Sequence, residues 1–205
     1  MDHLIHLLLE ETIKSSKFKF EEVYSELIEF IRQRIINHLH ETYNDKDLIK
    51  AIAESENIPF TKILNIADLK KRLDFCNEIR QKSNFDEIRK IISRVSKLSF
   101  KGDLDQLTLS SNGLIDIKLF EKDCEKNVYS LIKELEKLSL SNDINYQKII
   151  NLFEHNLVTI ENLFDNNLGV LIMCENKYLK ANRLNILGLL RNYSLLIADF
   201  TLFNS

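Results

Sequence analysis

The stretch Lys177-Tyr-Leu-Lys-Ala-Asn-Arg-Leu-Asn-Ile-Leu-Gly-Leu-Leu-Arg-Asn-Tyr-Ser-Leu-Leu-Ile-Ala-Asp-Phe200 decides the fold. Ile186, Leu190, Tyr193, Ile197 and Phe200 recur at spacings of four, three, four and three. At about 100° per residue they share one stripe, so the stretch reads as a single long helix with that stripe buried. Lys180 and Arg191 project within roughly 20° of each other and Arg183 about 60° from Lys180, which gives the helix a cationic edge. Asn182, Asn185, Asn192 and Asp199 line a further narrow, hydrogen-bonding face. Period alone supports a core helix with a solvated back.

The rest of the chain fits a bundle around that helix. Only 4 Gly and 1 Pro stand among 205 residues that are 44% hydrophobic and 29% charged, which suits long helices and lacks the turn residues of an all-β chain. The expected fold is all-α, with a core large enough to need no disulfide or metal. A net charge of −3 gives no global case for nucleic acid, so RNA contact requires a local basic patch, and no DNA partner is expected. Cys76, Cys124 and Cys174 are odd in number and widely spaced, as three buried thiols of a reducing compartment would be. No apolar run reaches the roughly 18 residues of a membrane span, and Met1-Asp-His-Leu-Ile-His lacks the basic start of a signal peptide, so no membrane partner is expected.

Upstream, Leu4, Leu7, Leu8 and Ile13 suggest a short helix within residues 1–19, set apart from a main helical domain over 20–205. Phe20, Val23, Leu27, Ile31, Ile35 and Leu39 keep helical spacing up to Tyr43-Asn44. A short helix around Leu48, Ile49 and Ile52 is broken at Asn57-Ile58-Pro59. Thr61 to Lys82 reads as one helix burying Ile63, Ile66, Leu69, Leu73, Cys76 and Ile79, with Lys70, Lys71, Arg72, Arg80 and Lys82 outside. The next, capped by Asn84, buries Ile88, Ile91, Ile92, Val95 and Leu98. Arg89, Lys90, Arg94, Lys97 and Lys101 make it the most basic window of the chain, a solvated face or a phosphate-contacting one.

From Lys101 to Lys118 the helical period fails, and an apolar loop is expected to drape over the bundle. Helices resume over Phe120–Leu138 and, after an Asn142-Asp143 cap, from Tyr146 to Leu152, followed by Val158, Ile160, Leu163 and Phe164. Val170-Leu-Ile-Met173 is expected to be buried as a short non-helical or helix-entry segment before the last helix.

Reactive constellations are missing: no Gly-rich phosphate loop, no nucleophile elbow, no HExxH and no Cys/His metal spacing. His3 with His6 and His38 with His40 lack a third ligand, and the carboxylates are scattered. Neither a catalytic set nor a metal site is expected.

The wording of the carboxy-terminal end is more specific than its period. Asn162-Leu-Phe-Asp165, Val170-Leu-Ile-Met173, Leu179-Lys-Ala-Asn-Arg-Leu-Asn-Ile-Leu-Gly-Leu-Leu-Arg-Asn192 and Ile197-Ala-Asp-Phe200 resemble, in order, the FFD, VLVM, ENRLNLLGLLR and ADF phrases of the β subunit of bacterial-type glycyl-tRNA synthetase. Leu27-Ile-Glu-Phe-Ile-Arg-Gln-Arg34 is similar to that family's FIxxRL helix, Arg94-Val95-Ser96 to its RVSN element, and Leu119-Phe-Glu-Lys122 to a phrase of the cyanobacterial and plastid branch. Departures are Lys97 in place of the usual Asn, Lys180-Ala181 before Asn182, and Cys174-Glu175-Asn176 in place of a more acidic run.

The resemblance implies a carboxy-terminal fragment of that subunit, with a helical bundle of the DALR anticodon-binding type shared with arginyl-tRNA synthetase. It implies tRNA(Gly) as partner, together with the α subunit and the rest of the β subunit in an α2β2 ligase. ATP and Mg would be held on the α subunit, leaving no cofactor in this fragment, and the setting would be the bacterial cytoplasm or the plastid stroma. Anticodon recognition needs cations for phosphates and amide, guanidinium or aromatic groups for unstacked bases. Lys180, Arg183 and Arg191 are therefore expected on the RNA backbone, Asn182 and Asn192 on base edges, and Arg94 with Lys97 as a second patch. Two alternatives stay open. Asn182 and Arg183 could instead tie down the Val170–Met173 segment, and the whole chain could be a subunit-interaction or scaffold module without RNA contact.

Overall fold

The computed structural model describes residues 20–139 and 144–204, and every regular element among them is helical. The helix expected within residues 1–19, the His3/His6 pair and the Asn142-Asp143 cap lie outside the described residues. In chain order the α-helices are α1 Phe20–Thr42, α2 Lys46–Ile49, α3 Phe60–Leu64, α4 Ile66–Ile79, α5 Phe85–Ser99, α6 Asp123–Ser139, α7 Tyr146–His155, α8 Leu157–Glu161 and α9 Lys177–Leu195. A π-helical turn, Lys50–Glu54, continues α2. One hydrophobic core runs through the whole bundle, from Ile36 to Phe203.

The α9 helix is its axis. It packs most extensively along α5 and then against α6, while α7 and α8 pack on α6 and reach α9 and α5 respectively. Leu184, Ile186, Leu187, Leu189, Leu190 and Tyr193 are all buried. From Ile186 onward no side of this helix meets solvent, which is the pattern of a central core helix rather than of one with a solvated back. Gly188 marks the closest approach: a Cβ there would stand 2.8 Å from Leu104, so the absence of a side chain lets the loop lie against the helix.

Several boundaries depart from the hydrophobic period, each because a local hydrogen bond wins. The expected Thr61–Lys82 helix is split at Asn65, whose amide oxygen accepts from Asp68 N at 3.2 Å and starts α4 afresh. Ile66, expected inside, thereby falls in the first turn and is 55% exposed. Arg72, expected outside, is fully buried: it donates to the Asp68 carboxylate at 3.2 Å and to the Lys62 carbonyl at 2.9 Å, a C-terminal carbonyl of α3 that has no partner within its own helix. Asn84 stands at the start of α5 but makes no cap, its amide donating instead to Glu154 at 2.5 Å. The α6 helix begins at Asp123 rather than Phe120, because the Glu125 carboxylate accepts from Glu121 N at 2.7 Å and Lys122 N at 3.1 Å and fixes the first turn there. Asn145 caps α7, accepting from Lys148 N at 3.0 Å.

The last helix ends at Leu195, short of the expected Phe200. Asp199 N donates to Ala51 O at 2.7 Å, and its carboxylate accepts from Ser55 Oγ at 2.7 Å and Asn57 Nδ2 at 2.8 Å. These tertiary bonds turn the chain into a 3-10 segment, Phe200–Leu202, while Ile197 and Phe200 stay buried. In Val170–Met173, expected to be buried, only Ile172 is; Leu171 is 72% and Met173 40% exposed. Cys76 and Cys124 are buried, and Cys174 is only half-buried.

Candidate nucleic-acid interface

The candidate residues divide by what their polar atoms already hold. At the start of α9, Asn176 accepts from Tyr178 N and Leu179 N, which orients the helix entry and leaves Lys177 and Tyr178 exposed and Lys180 half-exposed. One turn on, the environment is interior. Asn182 grips the backbone of Asp116 at both atoms, accepting from its N at 2.8 Å and donating to its O at 3.1 Å. Arg183 donates to Glu125 at 3.0 Å, Glu121 at 2.5 Å and the Leu171 carbonyl at 3.2 Å, with Cys174 Sγ at 3.5 Å. Burial alone would depress the Arg183 guanidinium, but the hydrogen bonds it donates to Glu121 and Glu125 outweigh it and raise its pKa.

Further along, Arg191 donates to the Leu104 carbonyl at 2.6 Å and to Ser99 Oγ at 3.3 Å, and lies 4.7 Å over the Phe100 ring. Burial pushes its pKa down, with Asp105 partly opposing. Asn192 donates to the Asp105 and Thr108 carbonyls at 2.8 and 2.7 Å and accepts from Arg191. Asn185 donates to Leu114 O at 3.0 Å, and the Tyr193 hydroxyl to Leu109 O. The polar face of α9 thus supplies hydrogen-bond partners for the carbonyls of the irregular 101–118 loop, which has no ladder of its own.

Asn182, Arg183, Arg191 and Asn192, the groups expected on RNA, are placed in the interior. All four are 4% exposed or less, and their donors are engaged on the chain itself. Arg183 ties down the Leu171 segment, the alternative left open for it, whereas Asn182 holds the backbone of Asp116 and not the Val170–Met173 segment.

The remaining candidates lie on the surface. Lys90, Arg94 and Lys97 follow one another at four and three residues, so they share the outward face of α5 over about 10 Å, with Lys101 exposed on the turn that follows, while Ile88, Ile91, Ile92 and Val95 bury the other face against the core. With Arg89, Ser93 and Leu98 they line a groove of about 540 Å³ that no carboxylate lines. Arg89 is tied to Asp86 at 3.1 Å and to the Phe203 carbonyl at 3.3 Å. Among the described residues the side chains of Lys90, Lys97 and Lys101 form no ion pair, and Arg94 only lies over the Phe164 ring at 4.3 Å. Lys101 also lines a second groove of about 420 Å³, with Lys177, Lys180, Asn185 and Asp103 around it. Lys101 lines both grooves, so their cations form one basic track from α5 to the start of α9.

Arg94, Lys97 and Lys180 lie on this track with Lys90 and Lys101 of the same basic window, and the structure adds Lys177. The sequence marks the window from Arg89 to Lys101 by its charge alone; Lys177 joins only through the packing of α9 on α5. Among the described residues no cluster of His, Cys, Asp and Glu is arranged to hold a metal ion, and no helix is long and apolar enough to cross a membrane.

Comparison with known proteins places this site in context. No protein-family model matches the chain. The chain is 33% identical to the glycine–tRNA ligase β subunit of Gloeothece citriformis over 83% of its own length and 24% of that protein. Against the same subunit of Trichodesmium erythraeum it is 32% identical, covering 96% of this chain and 28% of the relative; for Acaryochloris marina the figures are 31%, 89% and 26%. The chain spans about a quarter of the length of the relatives it matches.

Proposed function

The chain belongs to the family of glycine–tRNA ligase β subunits, as a relative of their carboxy-terminal part, and we propose that the helical unit from residue 20 onward binds tRNA(Gly) by its anticodon arm on the Lys90–Lys101 and Lys177–Lys180 track. One observation carries this reading: the track gathers cations without ion-pair partners among the described residues, on a chain whose net charge is −3 and whose buried arginines are all engaged. Phosphates need unneutralised cations arranged in series, and the track offers such a series among the described residues. In the whole ligase the fragment would hold the RNA while ATP-dependent glycylation proceeds on the α subunit of an α2β2 enzyme.

A second reading, contact with another subunit, is favoured by Leu168, Leu171, Met173 and Tyr178, which are 60%, 72%, 40% and 79% exposed within eleven residues of chain. The two readings differ in their dependence on the anticodon. A gel shift with tRNA(Gly), set against the same tRNA carrying another anticodon, is expected to show tighter binding of the former. Equal affinity for both would overturn anticodon reading and leave the subunit contact.

A further inference from the structure

The geometry points to Arg94, carried on Phe164, as a stacking platform for one unstacked nucleobase of single-stranded RNA. This rests on the tRNA reading above and deepens it by naming a base-binding subsite within the track.

Among the described residues three arginines lie over phenylalanine rings, and only one is open. Arg191 over Phe100 is 1% exposed, with its donors engaged by carbonyls and Ser99. Arg80 over Phe203, at 5.2 Å, is paired with Asp45. Arg94 over Phe164, at 4.3 Å, is exposed, lines the basic groove and has no hydrogen bond or ion pair among the described residues. The ring covers one side of the guanidinium and holds it in place. Arg94 is exposed and lines the groove, and a guanidinium is a flat, weakly hydrated cation, the kind of surface on which a base stacks.

Its flanks fit a strand rather than an isolated nucleotide. Lys90 lies one turn before Arg94 and Lys97 one turn after it, with Lys101 on the turn beyond the helix end, so phosphates on either side of a stacked base meet a cation. Phe164 itself sits on the 3-10 turn Asn162–Phe164, which α8 leads into and which packs against α6, so the platform is supported by the bundle rather than by a free loop. A double helix offers no base face to such a platform, so the ligand is the unpaired part of the RNA.

The test uses the full 205-residue chain and an RNA hairpin with the anticodon loop of tRNA(Gly), intact or with one loop base at a time removed to an abasic site. Wild-type protein should lose about tenfold in affinity at one loop position. Arg94→Lys, which keeps the charge but not the plane, should bind the intact hairpin about tenfold more weakly with an unchanged salt slope, and should show no further loss at that position. Phe164→Leu, which keeps apolar bulk, should behave likewise. If Arg94→Lys retains both affinity and the abasic penalty, the platform is refuted. The double variant Lys97→Ala/Lys101→Ala separates the two claims: loss of affinity and salt slope there with no abasic effect in the wild type overturns the platform alone, and no change in either overturns the tRNA reading as well.

Discussion

Lys180 and Arg183 stand three residues apart on α9 and have opposite fates. Lys180 is half-exposed on the rim of a groove, whereas Arg183 is 3% exposed between the carboxylates of Glu121 and Glu125. The same carboxylate of Glu125 caps α6, so Arg183 ties the start of that helix to the Leu171 segment. Removing one partner of a buried pair leaves the other charge uncompensated, so Arg183→Ala should destabilise the fold by about 3–5 kcal/mol, read as a lower denaturant midpoint. Binding of tRNA(Gly) per folded molecule should stay unchanged, and Lys180→Ala should give the reverse result. Equal losses of RNA affinity in both variants would sink this division of roles. The sequence marks Arg183 and Asn182 as special but leaves both roles open, because a helical period reports which face a residue occupies and not what packs over that face. Here a loop more than sixty residues upstream covers it.

At the scale of elements, the helices were legible and the loop between α5 and α6 was legible only as an interruption. Apolar spacing located α1, α5, α6, α7 and α9 to within a few residues, since each buries one stripe. It missed the break at Asn65 and the stop at Leu195, where side-chain and tertiary hydrogen bonds override a period that continues unbroken. The loop carries no period; its order comes from α9 and from Glu136 on α6, which accepts from Ser111 N at 2.5 Å and Lys133 Nζ at 2.7 Å. Burial would push the Glu136 carboxyl up, but the hydrogen bonds from Lys133 and Ser111 outweigh it and hold it below the ordinary value of 4.5. A carboxyl depressed in the folded state contributes stability that is fully present above its unfolded pKa and is lost as pH falls through the folded one. Stability of the wild type should therefore decline below about pH 4.5 more steeply than that of Glu136→Gln. Hydrogen exchange at Ser111 is the local readout, and identical acid profiles of the two proteins would rule out this anchor.

Across the whole molecule the charge is small and its distribution uneven. A net charge of −3 argues against nucleic acid as a partner, yet it averages over cations that are neutralised inside the fold and others that collect on one face. Which arginines belong to which set is a matter of packing: Arg72, Arg183 and Arg191 are interior, while Arg94 is on the track, and nothing in the composition separates them. If placement rather than total charge governs RNA binding, two variants of equal net charge should behave differently. Replacing Lys90, Lys97 and Lys101 by Ala removes three track cations, and replacing Lys70, Lys137 and Lys148 removes three lysines that line neither groove. Every phosphate that no longer meets a cation lowers the slope of log affinity against log salt by roughly 0.7 to 0.9. The first triple variant should therefore lower the slope for tRNA(Gly) by about two to three, while the second leaves it within the error of the measurement. Equal reductions in both would mean that binding follows net charge, and that the two grooves are no more than a solvated face.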